Sequence, residues 1–138
     1  MVQKKRVLFL CTGNSCRSQM AEGFLRHMAG DKFEVFSAGV KPTQVNPLAI
    51  KVMAEVGVDI FEHRSKSATE FIGQSFDYVV TVCDNAKQTC PVFPGRHEKL
   101  HWSLGDPAAA QGSEEANLAQ FRKARDELKE KIAQLFKI

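Results

Sequence analysis

The fold of this chain is decided near its start, by the stretch Arg6-Val7-Leu8-Phe9-Leu10-Cys11-Thr12-Gly13-Asn14-Ser15-Cys16-Arg17. Its apolar part, Val7 to Leu10, is typical of a strand that is buried on both faces of a parallel sheet. Gly13 and Asn14 tolerate left-handed backbone conformations, so the segment after the strand is expected to curve tightly. Apolar residues then recur at helical spacing from Met20 to Met28. The stretch therefore predicts a buried strand, a curled loop and an amphipathic helix in direct succession.

Strands and helices continue to alternate along the rest of the chain. We expect three further strands, at Phe33 to Ser37, Phe76 to Cys83 and Lys99 to Trp102. Two further helices are expected, from Asn46-Pro47 to Gly57 and from about Ser113 to Phe136, with a surface loop at Ala108 to Glu115. This alternation predicts an α/β fold, a three-layer sandwich with a four-stranded parallel sheet flanked by helices. A length of 138 residues suits a single domain spanning residues 1–138.

The composition is that of an ordinary globular protein and excludes several classes of function. Apolar residues make up 43% of the chain and charged residues 25%, and the net charge of +3 is too small to indicate nucleic-acid binding. The longest apolar run is far shorter than the roughly 20 residues that a membrane-spanning helix needs. The basic N-terminus is followed by no apolar signal region. We therefore expect a cytoplasmic protein without nucleic-acid or membrane partners, and a monomer, since nothing suggests a large exposed interface.

Four cysteines carry most of the chemical information: Cys11, Cys16, Cys83 and Cys90. A reducing compartment disfavours permanent disulfides, and neither close pair has the C-x2-C spacing of a zinc site, so no metal is expected. Cys11 and Cys83 each end a predicted strand. Ligands of parallel α/β sheets bind beyond the carboxyl ends of the strands, so these two thiols are expected at the same edge.

The loop from Cys11 to Arg17 has the features of an oxyanion site with a reactive thiol. A loop curled around an anion points its backbone N–H groups inward, and here the donors would come from Thr12, Gly13, Asn14, Ser15 and Cys16. The following helix adds its positive N-terminal end, and Arg17 adds a planar fork for two oxygens. This field favours the nucleophilic thiolate of Cys11, to which Ser18 could donate a hydrogen bond. The alternative is a plain strand-to-helix turn in which Cys11 is only a buried apolar residue, and Cys16 is interpreted as a bystander.

The motifs of the whole chain resemble those of one enzyme family. They are Val7 to Glu22, Ser37-Ala38-Gly39, Asn46-Pro47, Val79 to Cys83, Cys90-Pro91 and Asp106-Pro107. Together they are similar to the thioredoxin-coupled arsenate reductases built on the low-molecular-weight tyrosine phosphatase fold. The resemblance covers nearly the whole chain. It implies arsenate as the substrate and a fold like that of the small phosphatases.

The resemblance also implies roles for five residues. Cys11 would attack arsenic, Arg17 would bind the oxygens and Asp106 would act as general acid. Cys83 and Cys90 would pass electrons outward to thioredoxin, with glutathione and glutaredoxin as the alternative reductant. Two other interpretations stay open: a low-molecular-weight protein tyrosine phosphatase, and a thiol redox sensor without turnover. The three alanines after Pro107 favour a small inorganic oxyanion, since phosphatases of this fold usually carry aromatic residues there.

A cation site known in some relatives is altered in this chain. Those relatives bind potassium near the loop through an Asn, a Glu, a Ser and an acidic residue. Asn14, Glu22 and Ser37 match three of these positions, but Lys66 stands at the fourth. A potassium site is therefore disfavoured, because the Lys66 ammonium could occupy the place of the ion. No tightly bound cofactor is expected.

Overall fold

A parallel sheet forms the centre of the protein, of which the computed structural model describes residues 4–83, 93, 97–109 and 112–138. The strands are β1 (Lys5–Cys11), β2 (Phe33–Gly39), β3 (Tyr78–Thr81) and β4 (Glu98–His101). The helices are α1 (Arg17–Ala29), α2 (Pro47–Glu55) and α3 (Glu114–Phe136), and short 3-10 helices span Ala68–Phe71 and Pro107–Ala109. The sheet order is β2-β1-β3-β4, with every neighbouring pair parallel. The predicted α/β class, a four-stranded parallel sheet flanked by helices, is confirmed.

Strand β1 is an inner strand of the sheet, and it is buried as its uninterrupted apolar run predicted. It pairs with β2 on one side and with β3 on the other, and Val7 to Leu10 are fully buried. The chain passes from β1 to β2 and then crosses back to β3 on the opposite side of β1. This reversal of direction opens a crevice at the carboxyl ends of the strands, which is where parallel sheets bind ligands. Cys11 ends β1 at this crevice, and Cys83 follows β3.

The helices are held by predictable local interactions. The Asn46 side chain accepts a hydrogen bond from the Leu48 N–H at 2.8 Å, which caps α2 before Pro47. The Ser113 hydroxyl accepts from the Ala116 N–H at 3.2 Å and caps α3 in the same way. Helix α3 packs against α1 and α2 and buries Leu118, Phe121, Leu128 and Ile132. No helix among residues 4–83, 97–109 and 112–138 is long and apolar enough to cross a membrane.

The strand boundaries differ from those predicted by hydrophobicity. β2 runs to Gly39, two residues beyond the predicted end, whereas β3 is shorter than Phe76 to Cys83. β4 is displaced by one residue from Lys99 to Trp102. Apolar residues beyond β3 are still buried, so their pattern shows burial and not the end of the hydrogen-bond ladder. The predicted loop at Ala108 to Glu115 is also only partly correct, since a 3-10 helix reaches Ala109 and α3 begins at Glu114.

Gly39, the last residue of β2, lies directly against the loop that follows β1. Its N–H donates to the Lys66 carbonyl at 2.8 Å. A Cβ atom at this position would lie 2.6 Å from the Thr12 oxygen and 2.7 Å from the Asn14 nitrogen. These neighbours are backbone atoms that cannot rotate away, so only glycine allows β2 and the loop to approach this closely.

We expect Gly39→Ala to destabilise the protein by roughly 1–3 kcal/mol, because the added methyl group must displace backbone. The measurement is urea unfolding followed by circular dichroism. Gly105→Ala is the matched control, since a Cβ there meets no heavy atom within 4 Å. Equal unfolding midpoints for the two variants would contradict this account of Gly39.

Candidate active site

The loop after β1 is shaped by a neighbouring segment that binds its carbonyl oxygens. Residues 40–46 run beside the loop and donate four backbone hydrogen bonds to it. These are Val40 to Cys11 at 3.2 Å, Lys41 to Thr12 at 2.8 Å, Thr43 to Gly13 at 3.0 Å and Asn46 to Ser15 at 2.9 Å. The carbonyl of Asn14 accepts from the Ser65 hydroxyl at 2.7 Å. The backbone carbonyls of residues 11–15 therefore all accept hydrogen bonds from residues outside this segment.

This arrangement decides where the N–H groups of the loop point. In a trans peptide the C=O of one residue and the N–H of the next lie on opposite sides of the bond. With the carbonyls of residues 11–15 turned outward, the N–H groups of residues 12–16 face the interior of the loop. One of them, that of Asn14, lies 3.2 Å from the Cys11 sulfur. The loop thus forms a concave set of donors of the kind that binds anions.

Asn14 holds the loop in its curled shape. Its φ of 49° lies in the left-handed region, and its side chain is fully buried. The Oδ1 atom accepts from the Lys66 N–H at 2.8 Å and from Gln19 Nε2 at 2.9 Å. The Nδ2 atom donates to the hydroxyls of Ser18 at 2.7 Å and Ser37 at 3.0 Å. Asparagine suits this position for two reasons. It tolerates a positive φ, and all the hydrogen-bonding groups of its buried side-chain amide have partners.

The Cys11 sulfur lies within reach of two hydrogen-bond donors. It lies 2.8 Å from the Ser18 hydroxyl, at the base of the loop. Because Asn14 Nδ2 already donates to the Ser18 oxygen, the Ser18 hydrogen is available for the sulfur. Together with the Asn14 N–H, this gives two donors directed at one sulfur, and such donors stabilise its anion. The structure thus brings Ser18 to the atom that the sequence predicted for it.

Arg17 and Asp106 share a cleft with Cys11. The cleft has a volume of about 380 Å³, and its lining includes Cys11, Thr12, Gly13, Ser15, Cys16, Arg17, Lys41, Thr43, Asp106 and Ala108. Arg17 Nη1 donates to the Leu104 carbonyl at 2.9 Å, which fixes the guanidinium. Its buried Nε has no hydrogen-bond partner among the described residues. A donor of this kind at an anion site is suited to an oxyanion oxygen.

Cys16 is kept as a neutral thiol despite lying in the loop. Burial, the neighbouring Cys11 and the Asp106 carboxylate raise its pKa to about 12, outweighing the influence of Arg17. Its sulfur lies 3.8 Å from Asp106 Oδ1, which also accepts from the Ala108 N–H at 3.0 Å. A thiol in this state is a poor nucleophile. The structure therefore gives a physical basis for interpreting Cys16 as a bystander.

The second thiol at this edge of the sheet is Cys83. It is buried, and its sulfur lies 3.3 Å from the Thr12 hydroxyl, so it stands beside the loop. Cys90 lies outside the described residues. No group of three or more His, Cys, Asp or Glu side chains in the described part of the chain is arranged to hold a metal ion.

Sequence reasoning missed several residues of the site. Lys41 and Thr43 line the cleft because their backbone is bound to the loop, and only their position after β2 could have indicated this. Gln19 was also missed, although it is fully buried and ties Asn14 to His63. A glutamine within a buried helical face is a signal that could have been used.

Comparison with known proteins agrees with this geometry. Residues 6–138 match the model of the family described as low molecular weight phosphotyrosine protein phosphatase. This chain belongs to that family. An arsenate reductase of Halalkalibacterium halodurans is 47% identical over 131 residues, which cover 95% of this chain and 94% of that protein.

Solved structures of the family are also similar. One, titled an arsenate reductase in oxidized state, is 34% identical, with a TM-score of 0.82 and 95% of each chain covered. Another, a thioredoxin-dependent arsenate reductase of Corynebacterium glutamicum, is 32% identical, with a TM-score of 0.75. That match covers 97% of this chain and 61% of the other.

The state of Cys16 in this member of the phosphatase family can be tested by alkylation. With a pKa of about 12, about one Cys16 thiol in ten thousand is ionised at pH 8. We expect iodoacetamide to modify Cys11 well before Cys16, and inorganic phosphate to protect Cys11. Peptide mass spectrometry after timed quenching measures both rates.

The Cys11→Ser variant is the control for this experiment. Cys16 should remain unmodified in it, because burial is the largest cause of the raised pKa. Modification of Cys16 as fast as that of Cys11 would show that its thiol is not held in the neutral form.

Proposed function

We propose that this protein reduces arsenate to arsenite by a relay of three thiols, for arsenic detoxification. The observation that carries the proposal is the position of a second buried thiol, Cys83, beside an oxyanion loop that already contains the nucleophile Cys11. Hydrolysis of a phosphate ester by this loop needs only one thiol, that of Cys11. The names of the relatives support the same reaction, since they are arsenate reductases that match nearly the whole chain.

The first step is the attack of Cys11 on arsenic. Arsenate binds with its oxygens on the inward N–H groups of residues 12–16 and on the Arg17 guanidinium. These donors stabilise the charge that builds up on the oxygens as the sulfur approaches. An S–As bond forms and an As–O bond breaks. Asp106 gives its proton to the departing oxygen, which leaves as water.

The second step transfers the electrons. The Cys83 thiolate attacks the Cys11 sulfur, and the electron pair of the S–As bond passes to arsenic. Arsenic is thereby reduced from As(V) to As(III) and leaves as arsenite, while the two thiols are oxidised to a Cys11–Cys83 disulfide. Cys90 then attacks Cys83, which releases Cys11 as a thiolate and leaves a Cys83–Cys90 disulfide. The position of Cys90 in this step comes from the sequence resemblance alone.

Thioredoxin is the proposed reductant of the final disulfide. The support is the thioredoxin-dependent relative from Corynebacterium glutamicum and the resemblance of Cys83 and Cys90 to a relay pair. Glutathione with glutaredoxin is the alternative, and the two systems can be exchanged in one assay. The proposal places the enzyme in the cytoplasm, where its thiols stay reduced. It acts there as a monomer.

A phosphatase is the second candidate function. Cys11, Arg17 and Asp106 line one cleft, and this set is sufficient for hydrolysis of a phosphomonoester. A pure phosphatase, however, has no use for the Cys83 thiol beside the loop. A redox sensor without turnover has no use for Arg17 or for Asp106. The reductase is the candidate that uses every one of these groups.

The decisive assay is arsenate-dependent oxidation of NADPH in the presence of thioredoxin and thioredoxin reductase. Steady turnover with arsenate and slow hydrolysis of an aryl phosphate are expected. Absence of arsenate turnover with both thioredoxin and glutaredoxin systems, together with rapid aryl phosphate hydrolysis, would establish the phosphatase instead.

Replacing the relay thiols should separate the two activities. We expect Cys83→Ser and Cys90→Ser to lower multiple-turnover arsenate reduction by more than about a hundredfold, since no disulfide can reach the reductant. Aryl phosphatase activity should persist in both, because Cys11 and its loop are unchanged. Stopped-flow and steady-state kinetics measure these effects.

Cys16→Ser serves as the matched control for loss of a thiol and should retain both activities. Mass spectrometry of partly oxidised native protein should find Cys11–Cys83 and Cys83–Cys90 disulfides. Loss of phosphatase activity in the Cys83 and Cys90 variants would contradict the division of roles.

A further inference from the structure

A buried carboxylate lies behind the oxyanion loop, outside the reacting groups. Glu22, on α1, is only 4% exposed. The Ser37 hydroxyl donates to its Oε1 at 2.5 Å, and Arg26 Nη1 lies 2.6 Å from its Oε2. Lys66 Nζ lies 3.8 Å from Oε1, and His63 Nε2 lies 3.7 Å from Oε2. A buried carboxylate persists only with such partners, so the cluster is a unit of structure.

Hydrogen bonds connect this cluster to the nucleophile. The ionised Glu22 can only accept, so the Ser37 hydrogen is directed to it. The Ser37 oxygen must then accept from Asn14 Nδ2, whose other hydrogen goes to the Ser18 oxygen. This leaves the Ser18 hydrogen for the Cys11 sulfur. Glu22 therefore orients the Ser37 hydroxyl, and Asn14 Nδ2, which can only donate, orients the Ser18 hydroxyl that faces Cys11.

Lys66 meets this connection at two points, Asn14 and Glu22. Its backbone N–H donates to Asn14 Oδ1 at 2.8 Å, and its ammonium donates to the Arg64 carbonyl at 2.9 Å while facing Glu22. Burial lowers the pKa of Lys66, and the Glu22 carboxylate opposes this effect. Burial also lowers the pKa of His63, and its Nε2 lies 3.3 Å from Arg26 Nη1, which can only donate, so this nitrogen accepts and the ring is uncharged. Arg26 and Lys66 are thus the cations that balance Glu22.

The residues around Glu22 do not fit a potassium ion. Such an ion needs several oxygen atoms with free lone pairs directed at one point. Here Asn14 Oδ1 already accepts two N–H groups, and Ser37 Oγ accepts from an amide. Lys66 Nζ supplies a positive charge at the fourth position and binds the Arg64 carbonyl. An added cation would be repelled by both Lys66 and Arg26.

We propose that Lys66 is a cation built into the chain, which replaces a bound monovalent ion and acts as a positioning residue for the oxyanion loop. It neutralises Glu22 with a tethered charge, and its N–H holds Asn14 Oδ1, so that Ser37, Asn14 and Ser18 stay in place behind Cys11 without any ion from solution. The enzyme is therefore indifferent to the potassium concentration. The inference rests on the proposed oxyanion site but holds for phosphate as well as for arsenate.

The test compares two salts at equal ionic strength, potassium chloride and choline chloride. The thermal unfolding temperature and the affinity for inorganic phosphate, measured by calorimetry, should be equal in both salts for the native protein. Lys66→Asp should weaken phosphate binding by about tenfold in choline chloride. Potassium chloride should restore the affinity and raise the unfolding temperature of this variant, because a carboxylate then stands where the ammonium stood.

Two further variants keep the test decisive. Lys66→Met removes the charge and should weaken phosphate binding in both salts. Lys51→Asp, at an exposed position on α2, makes the same change of charge outside the cluster and should behave like the native protein.

Any of three results would overturn the proposal. One is a potassium response of the native protein; another is unchanged phosphate affinity in Lys66→Met. The third is a Lys66→Asp variant that matches Lys51→Asp. None of these readouts involves arsenate turnover, so the proposal can fail while the reductase assignment stands. Absence of any phosphate binding by the native protein would instead remove the oxyanion site itself.

Discussion

The oxyanion loop depends on the backbone hydrogen bonds that residues 40–46 donate to the carbonyls of residues 11–15. A curled loop with inward N–H groups would otherwise expose its carbonyls within a partly buried site, and such unpaired groups are costly. The neighbouring segment satisfies them from outside, so the loop can stay curled before any anion arrives. The cost of orienting the donors is thereby met during folding. This is the kind of preorganisation on which electrostatic catalysis depends.

The topology of the sheet brings the two thiols of the proposed first disulfide together. Since β1 lies between β2 and β3, the segments that leave the carboxyl ends of β1 and β3 are neighbours in space. Cys11 and Cys83 lie far apart in sequence, yet Cys83 contacts the Thr12 hydroxyl. In the proposed reaction, the loop that this family uses becomes part of a reductase because a thiol stands at the end of β3, the neighbouring strand. The change needs no alteration of the loop itself, which explains how one fold serves both reactions.

Much of this could be predicted from the sequence, and the limits have physical reasons. The strand–loop–helix unit was predictable because a buried strand, Gly13-Asn14 and a helical apolar pattern all indicated it. The ends of β3 and β4 were not, because burial continues past the last ladder bond. Lys41 and Gln19 were missed because their roles arise from backbone pairing and from long-range contacts with no local pattern. Such contacts exist only after the sheet has formed.

The buried polar residues behind the loop show why the loop alone does not specify the site. Asn14 has one orientation in which both its amide and its carbonyl oxygen are satisfied, and Ser37 and the Lys66 N–H are needed to select it. Ser37 is itself oriented by Glu22, whose charge must be balanced because its carboxylate is buried. A charge imbalance there would displace Ser37 and Asn14 and so change the environment of Cys11, without any substitution in the loop. The cation opposite Glu22 is therefore as much a part of the reactive thiol's environment as the donors that touch its sulfur.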